Sequence, residues 1–256
     1  MSMRQILSCI KKADIEYDLI SEGDRICVGI SGGKDSMVLL EALRRYRFLS
    51  KKNYEIIGVN IIMGFPNSDF SSIINFCNNN GIEFHQEPSN PLIYEVLKLH
   101  IDNKNQLMCS ICSKMRKAAI CNAAHKYNCN KIAFAHHGDD AVETLLLNMI
   151  YGGRIATFKP KTFLDRENIV LIRPLVYARE RQIVGTVLAE EIPVVKSACP
   201  NDKNTQREEM KKMLNNLYKA YPSSRNNFLH MLSNLDHLDL WEKQEESEDN
   251  KEKSHQ

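Results

Sequence analysis

The residue types and spacing of a phosphate-binding loop occur in one hexapeptide, Ser31-Gly32-Gly33-Lys34-Asp35-Ser36. Adjacent glycines let successive backbone N–H groups turn toward an anion, and a helix that follows adds its positive N-terminal end. A Walker A loop is excluded, because aligning Gly33-Lys34 on its Gly-Lys places Val28 at the first required glycine. A dinucleotide fingerprint is excluded as well, since no third glycine follows at the required spacing. The hexapeptide therefore predicts a nucleotide-phosphate loop of another class.

The cysteines form a second group of residues with chemical potential. Cys109 and Cys112 make a CxxC motif at the start of a predicted helix, where the helix dipole and nearby basic residues favour thiolate. A lone CxxC fits zinc, a redox dithiol or an iron–sulfur site, and no second CxxC completes a zinc site. Cys199 lies before a proline in a comparably polar loop. Three thiolate ligands leave one metal position open, which suits a 4Fe-4S cluster, while zinc and the dithiol remain alternatives.

Apolar runs indicate the elements that must position these groups. Strand patterns near 26–30, 54–63, 82–85 and 131–136 alternate with helical patterns near 37–48, 69–80, 113–128 and 140–151. This alternation predicts an α/β fold with a doubly wound parallel sheet, whose ligand lies at the carboxyl ends of the strands. A helix within 3–20 precedes the loop, a hairpin or extended loop spans 161–174, and helical patterns follow at 179–191, 205–219 and 224–240.

The domain organisation follows from the same pattern. We expect an N-terminal helix at 1–22, a nucleotide-binding domain at 23–195 that contains the CxxC helix, and a C-terminal helical part at 196–241 that carries the third cysteine. The almost wholly polar segment 242–256 is expected to be a disordered tail.

Composition narrows the setting in which such a protein works. With 256 residues, 43% of them hydrophobic, the chain is long enough for one sizeable core. A net charge of +2 requires that any nucleic-acid surface be a local basic patch. No leader and no run of about 18 apolar residues is visible, so we expect a cytoplasmic protein with no membrane partner. Eight cysteines in that compartment indicate metal or catalytic chemistry rather than disulfides. The candidate basic clusters are Lys114, Arg116 and Lys117, then Arg154, Lys159 and Lys161, and then Arg179 and Arg181.

Several motifs together resemble one family, the PP-loop ATP pyrophosphatases, and within it the tRNA 2-thiocytidine synthetases of the TtcA type. The resemblance spans about residues 19–225, and related thiouridine synthases of the TtuA type usually add terminal zinc-binding CxxC pairs that this chain lacks. Two departures are that Lys196 stands where the family often has a further cysteine, and that the basic N-terminal extension is short. The matching pieces are Gly23-Asp24-Arg25, the hexapeptide 31–36, Gly64-Phe65-Pro66, Cys109 and Cys112 with Arg116, Ala135 to Asp140, Leu147-Asn148-Met149, Tyr151-Gly152-Gly153, Arg173-Pro174-Leu175, Arg179-Glu180, and Cys199 with Asn204, Gln206 and Arg207.

The resemblance implies an adenine nucleotide alpha hydrolase-like fold and an ATP-dependent tRNA sulfurtransferase. ATP would adenylate the C2 oxygen of an anticodon-loop cytidine, and sulfur delivered through a 4Fe-4S cluster on Cys109, Cys112 and Cys199 would replace that oxygen. The products would be 2-thiocytidine, AMP and pyrophosphate. The implied partners are tRNA and a sulfur donor, either sulfide or a cysteine desulfurase, and a homodimer is compatible with the family. The alternatives are a TtuA-type thiouridine synthase, a PP-loop ligase with zinc on its cysteines, and an iron–sulfur sensor without turnover.

The same resemblance implies roles for individual residues. The loop residues Ser31, Gly32, Gly33, Lys34 and Ser36 would bind the phosphates of ATP. Asp35 would hold Mg²⁺, because a carboxylate close to phosphate needs a cation between them.

Further roles fall on residues outside the loop. Asp140 or Asp139 would bind Mg²⁺ or transfer a proton, although capping the following helix is an alternative for Asp139. Arg116, one turn beyond Cys112, would orient the substrate or balance the anionic cluster, with a surface salt bridge as the alternative. His136 is assigned to the nucleotide site, but adjacent histidines at a strand end point to opposite sides, so one of the pair is expected to be structural. By fold geometry, Val59 and Asn60 would lie near the adenosine.

Overall fold

A computed structural model of the chain describes residues 2–64, 69–89, 109–196, 199, 205–234 and 240–241, with the side chains of 109 and 110 outside that description. The tail predicted to be disordered, 242–256, lies outside the described residues, as does most of the Gly64-Phe65-Pro66 motif.

Six strands form one sheet in the order β3-β2-β1-β4-β6-β5. Every neighbouring pair is parallel except β5 and β6, which form an antiparallel hairpin at one edge. The predicted doubly wound α/β fold is thus confirmed, and the 161–174 segment is a hairpin. The strands are β1 (Arg25–Gly29), β2 (Glu55–Ile62), β3 (Glu83–Pro88), β4 (Lys131–Ala133), β5 (Lys161–Leu164) and β6 (Ile169–Ile172).

Helices cover both faces of this sheet. The predicted helix at 224–240 is shorter in the structure and ends at Met231. None of the helices in the described part of the chain is long and apolar enough to cross a membrane. The described helices are α1 (Met3–Tyr17), α2 (Lys34–Ser50), α3 (Ser71–Asn79), α4 (Cys109–Lys126), α5 (Gly138–Gly152), α6 (Glu180–Ala189), α7 (Gln206–Ala220) and α8 (Ser224–Met231).

The sheet separates two large hydrophobic cores, and a third, smaller cluster of Val142, Leu214 and Tyr218 lies between α5 and α7. One core joins α1, α2 and α6 to the sheet, and the other packs α4 against the opposite face. Val28 of β1 packs in the first core and the adjacent Cys27 packs in the second, because successive side chains of a strand point to opposite faces. Ile6 and Ile10 of α1 are fully buried in the first core, and each such side chain stabilises the fold by about 1.5–3 kcal/mol. The N-terminal helix is therefore packed into the nucleotide-binding domain.

The strand order creates a crevice at the carboxyl edge of the sheet. The chain leaves β1 for β2 on one side and later returns to β4 on the other side of β1. A ligand in an open α/β sheet binds outside the strand ends at such a switch point. The hexapeptide 31–36 follows β1 and the segment 136–140 follows β4, so the topology brings them side by side.

Candidate active site

The loop after β1 is shaped by its own hydroxyls and by one glycine. Gly32 has φ +86°, a conformation that L side chains rarely adopt. The Ser36 hydroxyl donates to the Gly33 carbonyl oxygen at 2.9 Å, and the Gly33 N–H donates to Ser31 Oγ at 3.3 Å. Helix α2 begins at Lys34, and the unpaired N–H groups of a first helical turn are suited to bind phosphate. The loop is thus pre-formed for an anion.

Asp35 and Lys34 add charge to this loop. Asp35 Oδ1 is buried and has no hydrogen-bond partner among the described residues, and His137 Nε2 lies 3.8 Å from it. A buried carboxylate oxygen without a donor fits a hard divalent cation such as Mg²⁺. Lys34 Nζ lies 3.1 Å from Asp35 and 3.2 Å from Glu180. Burial disfavours the charged form of Lys34, but the two carboxylates outweigh it and raise the pKa of this ammonium.

His137 and Asp140 build the start of α5 as a capping box. The His137 N–H donates to Asp140 Oδ2 at 2.9 Å, and the Asp140 N–H donates to His137 Nδ1 at 3.3 Å. Gly138 is required here, because a Cβ would lie 2.9 Å from the Val176 carbonyl oxygen. His137, whose Nε2 lies 3.8 Å from Asp35, is the histidine beside the phosphate loop. The capping box at the start of α5 holds it there.

Asp139 is tied to a different helix. Its Oδ2 accepts from the Glu180 N–H at 2.7 Å, at the start of α6, and its Oδ1 pairs with buried Arg179 at 3.0 Å. Asp139 therefore caps α6 and not α5, while the carboxylate that completes the α5 cap belongs to Asp140. The roles predicted for both in Mg²⁺ binding or proton transfer stay predictions.

His136 points away from the capping box. Its ring meets Phe134 at 5.9 Å in a T-shaped contact and Phe158 at 5.0 Å between centroids. Burial lowers the pKa of His136 to about 4, so the ring is neutral at pH 7. The expectation that adjacent histidines point to different sides agrees with this arrangement, and the predicted contact of His136 with the nucleotide stays a prediction.

Val59 and Asn60 lie in the second half of β2, where they support the loop. The Val59 carbonyl oxygen accepts from the Ile30 N–H, and Asn60 Nδ2 donates to the Ile30 carbonyl oxygen, both at 2.8 Å. Both side chains are buried. Their predicted place near the adenosine is not tested by these contacts, which fix the entrance of the phosphate loop.

The described thiols have chemically distinct settings. Cys112 is half-buried, packs toward the core under α4, and lies 4.0 Å from Arg116 Nη2, which donates toward its sulfur. Cys199 is half-buried, and the segment before it is fixed to the phosphate loop, since the Val195 N–H donates to the Gly32 carbonyl oxygen at 2.8 Å. The remaining described cysteines, Cys9, Cys27, Cys77, Cys121 and Cys129, are free thiols that are buried or half-buried.

These settings fit part of a thiolate metal site. Soft sulfur ligands beside a guanidinium suit an anionic iron–sulfur cluster. Within the described residues no three His, Cys, Asp or Glu side chains are grouped to hold a metal ion, and the Cys109 side chain lies outside them. The convergence of Cys109, Cys112 and Cys199 therefore stays a prediction.

Four charged residues near the site were not assigned to it from the sequence. Arg207 of α7 lies 3.4 Å from Asp140 and 3.7 Å from Glu143, and Lys211 lies 2.8 Å from Glu180. Burial, reinforced by Asp140, raises the pKa of Glu143 to about 7. Glu180 and Arg207 belong to the motifs that carry the family resemblance, but no role was predicted for them. The helical spacing of Arg207 and Lys211 places both on one face of α7.

Comparison with known proteins decides the family. A model of the PP-loop domain matches residues 2–218. A tRNA-cytidine(32) 2-sulfurtransferase from Geobacter sulfurreducens is 34% identical over 91% of this chain and 90% of its own length. A protein of the same description from Geotalea uraniireducens is 35% identical over 90% of this chain and 91% of its own. The chain belongs to the PP-loop family and, within it, to the tRNA-cytidine 2-sulfurtransferases.

The fold of this PP-loop chain has a solved counterpart. The U34-tRNA thiolase NcsA from Methanococcus maripaludis, solved with its [4Fe-4S] cluster, superimposes with a TM-score of 0.74 at 22% identity, covering 93% of this chain and 80% of the other. The family and fold predicted from the hexapeptide and its strand–loop–helix setting are confirmed. The match from residue 2 also includes α1, which packs in the same core as α2.

Proposed function

We propose that this protein is an ATP-dependent tRNA sulfurtransferase that converts a cytidine of the anticodon loop, at the position 32 given in the relatives' names, into 2-thiocytidine. The observation that carries the proposal is identity of 34% over about nine-tenths of both chains to a tRNA-cytidine(32) 2-sulfurtransferase. The phosphate loop, the CxxC pair and Cys199 supply the groups that this reaction requires.

The ATP half of the reaction is assigned to the crevice between β1 and β4. Backbone N–H groups of the loop and the Lys34 ammonium would hold the β- and γ-phosphates, and the unpartnered Asp35 Oδ1 is the oxygen assigned to Mg²⁺. A bound Mg²⁺ would screen phosphate charge during attack. The cytidine O2 attacks the α-phosphorus, a new O–P bond forms, and the bond to the β-phosphate bridge breaks. Pyrophosphate leaves with that electron pair, and the C2 oxygen becomes part of an AMP leaving group.

The sulfur half is assigned to the cysteines. A 4Fe-4S cluster on Cys109, Cys112 and Cys199 would supply an open iron position through which sulfur is delivered. Arg116, which already donates toward Cys112 Sγ, would offset negative charge at the thiolates. A C–S bond then forms at C2, the C–O bond breaks, and AMP leaves with the oxygen. Asp140, beside the loop at the start of α5, is the carboxylate we assign to Mg²⁺ or to proton transfer.

Several accompanying assignments belong to the same proposal. tRNA is the substrate that the relatives' names specify, and sulfide or a cysteine desulfurase is the proposed sulfur donor. The cytoplasm is the proposed compartment, supported by the free thiols of Cys9, Cys27, Cys77, Cys121 and Cys129. A homodimer is proposed from the family alone.

A single cysteine substitution tests the proposal. Cys199→Ala, purified without oxygen, should lose cluster iron and sulfide and should form no 2-thiocytidine from ATP, Mg²⁺, sulfide and tRNA. Cys9→Ala is the matched control, because Cys9, on α1, is also half-buried but its thiol donates to the Tyr177 carbonyl oxygen. A Cys199→Ala protein that keeps the cluster or the product contradicts the proposal. Nucleoside analysis that finds thiouridine, or no thiolated base from the wild type, assigns the protein to another branch.

A further inference from the structure

One carboxylate at the edge of the phosphate loop holds two lysines. Glu180 Oε1 lies 3.2 Å from Lys34 Nζ and 2.8 Å from Lys211 Nζ. The two ammonium nitrogens are therefore at most the sum of these distances, 6.0 Å, apart. Lys34 belongs to the loop after β1 and Lys211 to α7, so two distant parts of the chain bring cations to one place.

The hydrogen-bonding capacity of Lys211 is only partly used. An ammonium group has three donors, and within the described ranges Glu180 is the sole hydrogen-bond partner of Lys211. Lys34, in contrast, contacts both Asp35 and Glu180. The side chain of Lys211 is 34% exposed, so it is not sealed inside the protein.

Electrostatics keeps both lysines charged. Burial opposes the charge of Lys211, but Glu180 overcomes that effect and raises its pKa. The same carboxylate contributes to the raised pKa of Lys34. Glu180 is itself fixed, because its backbone N–H donates to Asp139 at 2.7 Å. The two ammonium groups are thus held together by a carboxylate at the fixed start of α6, which lowers the entropic cost of binding an anion.

We propose that Lys211 is a second phosphate-binding lysine, which contacts the pyrophosphate portion of ATP together with Lys34 and is positioned by Glu180. The proposal rests on the proposed function only in taking ATP as the nucleotide. Arg207, one turn earlier on α7, contacts other carboxylates, those of Asp140 and Glu143.

Direct binding measurements test this role without tRNA or sulfur. ATP with Mg²⁺, inorganic pyrophosphate and AMP are titrated calorimetrically into wild-type protein, Lys211→Ala, Lys211→Arg and Lys212→Ala. Lys212 is the adjacent residue on α7 and is exposed, so its loss removes the same charge from outside the site. Lys211→Ala should weaken ATP and pyrophosphate binding about tenfold or more, because a charge-assisted contact is lost. AMP binding should change less than twofold.

The controls separate phosphate binding from a structural role. Lys211→Arg should retain most of the affinity, and Lys212→Ala should match the wild type. Unchanged ATP and pyrophosphate binding in Lys211→Ala overturns the proposal. An equal loss for all three ligands, together with a lower unfolding temperature, overturns it too, because Lys211 would then only fasten α7. Tight ATP binding with no thiolated product from the wild type would refute the proposed function and leave this inference standing.

Discussion

Two neighbouring glycines of the phosphate loop should fail in different ways when replaced by alanine. Gly32 has φ +86°, and a Cβ there would lie 3.1 Å from Phe70 and 3.2 Å from Val195. A side chain in a sparsely populated backbone region and an overpacked contact each cost about 1–3 kcal/mol. Gly32→Ala should therefore lower the free energy of unfolding by at least about 2 kcal/mol.

Gly33 is the internal control for that expectation. Its φ of −75° is open to any residue, and the nearest atom to an added Cβ is Ser31 Oγ at 3.4 Å. Gly33 is also the N-cap of α2, where alanine in place of glycine costs less than about 1 kcal/mol. Gly33→Ala should thus remain nearly as stable as the wild type, but its methyl group would stand where a phosphate approaches, and ATP affinity should fall.

Urea unfolding of the two variants measures the free energy of unfolding, and ATP titration measures their affinity for ATP. For a chain of this size, a loss of about 2 kcal/mol corresponds to a fall in unfolding temperature of roughly 4–8 °C. The reasoning is refuted if Gly32→Ala unfolds at the wild-type midpoint, since neither the backbone conformation nor the contacts with Phe70 and Val195 would then be as described. It is also refuted if Gly33→Ala loses as much stability as Gly32→Ala.

Three further substitutions test buried charges beside the site by urea unfolding across pH. Burial raises the pKa of Glu143 from 4.5 to about 7, so between these pH values the folded state holds a proton that the unfolded state has lost. The free energy of unfolding should therefore fall as the pH rises from 4.5 to about 7, and Glu143→Gln should remove that fall. Burial lowers the pKa of His136 from 6.5 to about 4, so stability should rise across that range, and His136→Gln should flatten the rise. Wild-type slopes in either variant would contradict these directions. Asp139→Ala leaves the guanidinium of Arg179 buried without its carboxylate, so the free energy of unfolding should fall by about 3–5 kcal/mol. Unfolding at the wild-type urea midpoint would contradict this prediction.

The sequence predicted those features that depend on local pattern. The strand–loop–helix setting of the hexapeptide 31–36 was predicted correctly, because its glycines lie between an apolar strand and a helix. The strands were found from continuous apolar runs, although β4 is shorter than predicted and ends at Ala133. Beyond that residue the backbone must turn to present His137 as the cap of α5, and apolar content alone does not show that turn.

Features that depend on distant contacts were not predictable. Lys34 and Lys211 are separated by most of the chain, and only the packing of α6 and α7 brings both to Glu180. The adjacent aspartates are alike in sequence, yet Asp139 caps α6 and Asp140 completes the α5 cap. A carboxylate in the first turn of α5 can accept from its own helix start or from that of α6, and the tertiary fold selects between them.

The hydrogen bond from the Val195 N–H to the Gly32 carbonyl oxygen couples the loop 31–36 to the segment that follows α6. Because it joins backbone to backbone, ordinary side-chain replacement leaves it in place, and only proline at 195 would delete the donor. Any shift of the loop at Gly32 should therefore also move the backbone at Val195, in the segment after α6. We therefore expect the loop 31–36 and the chain at Val195 to move together, whatever side chains they carry.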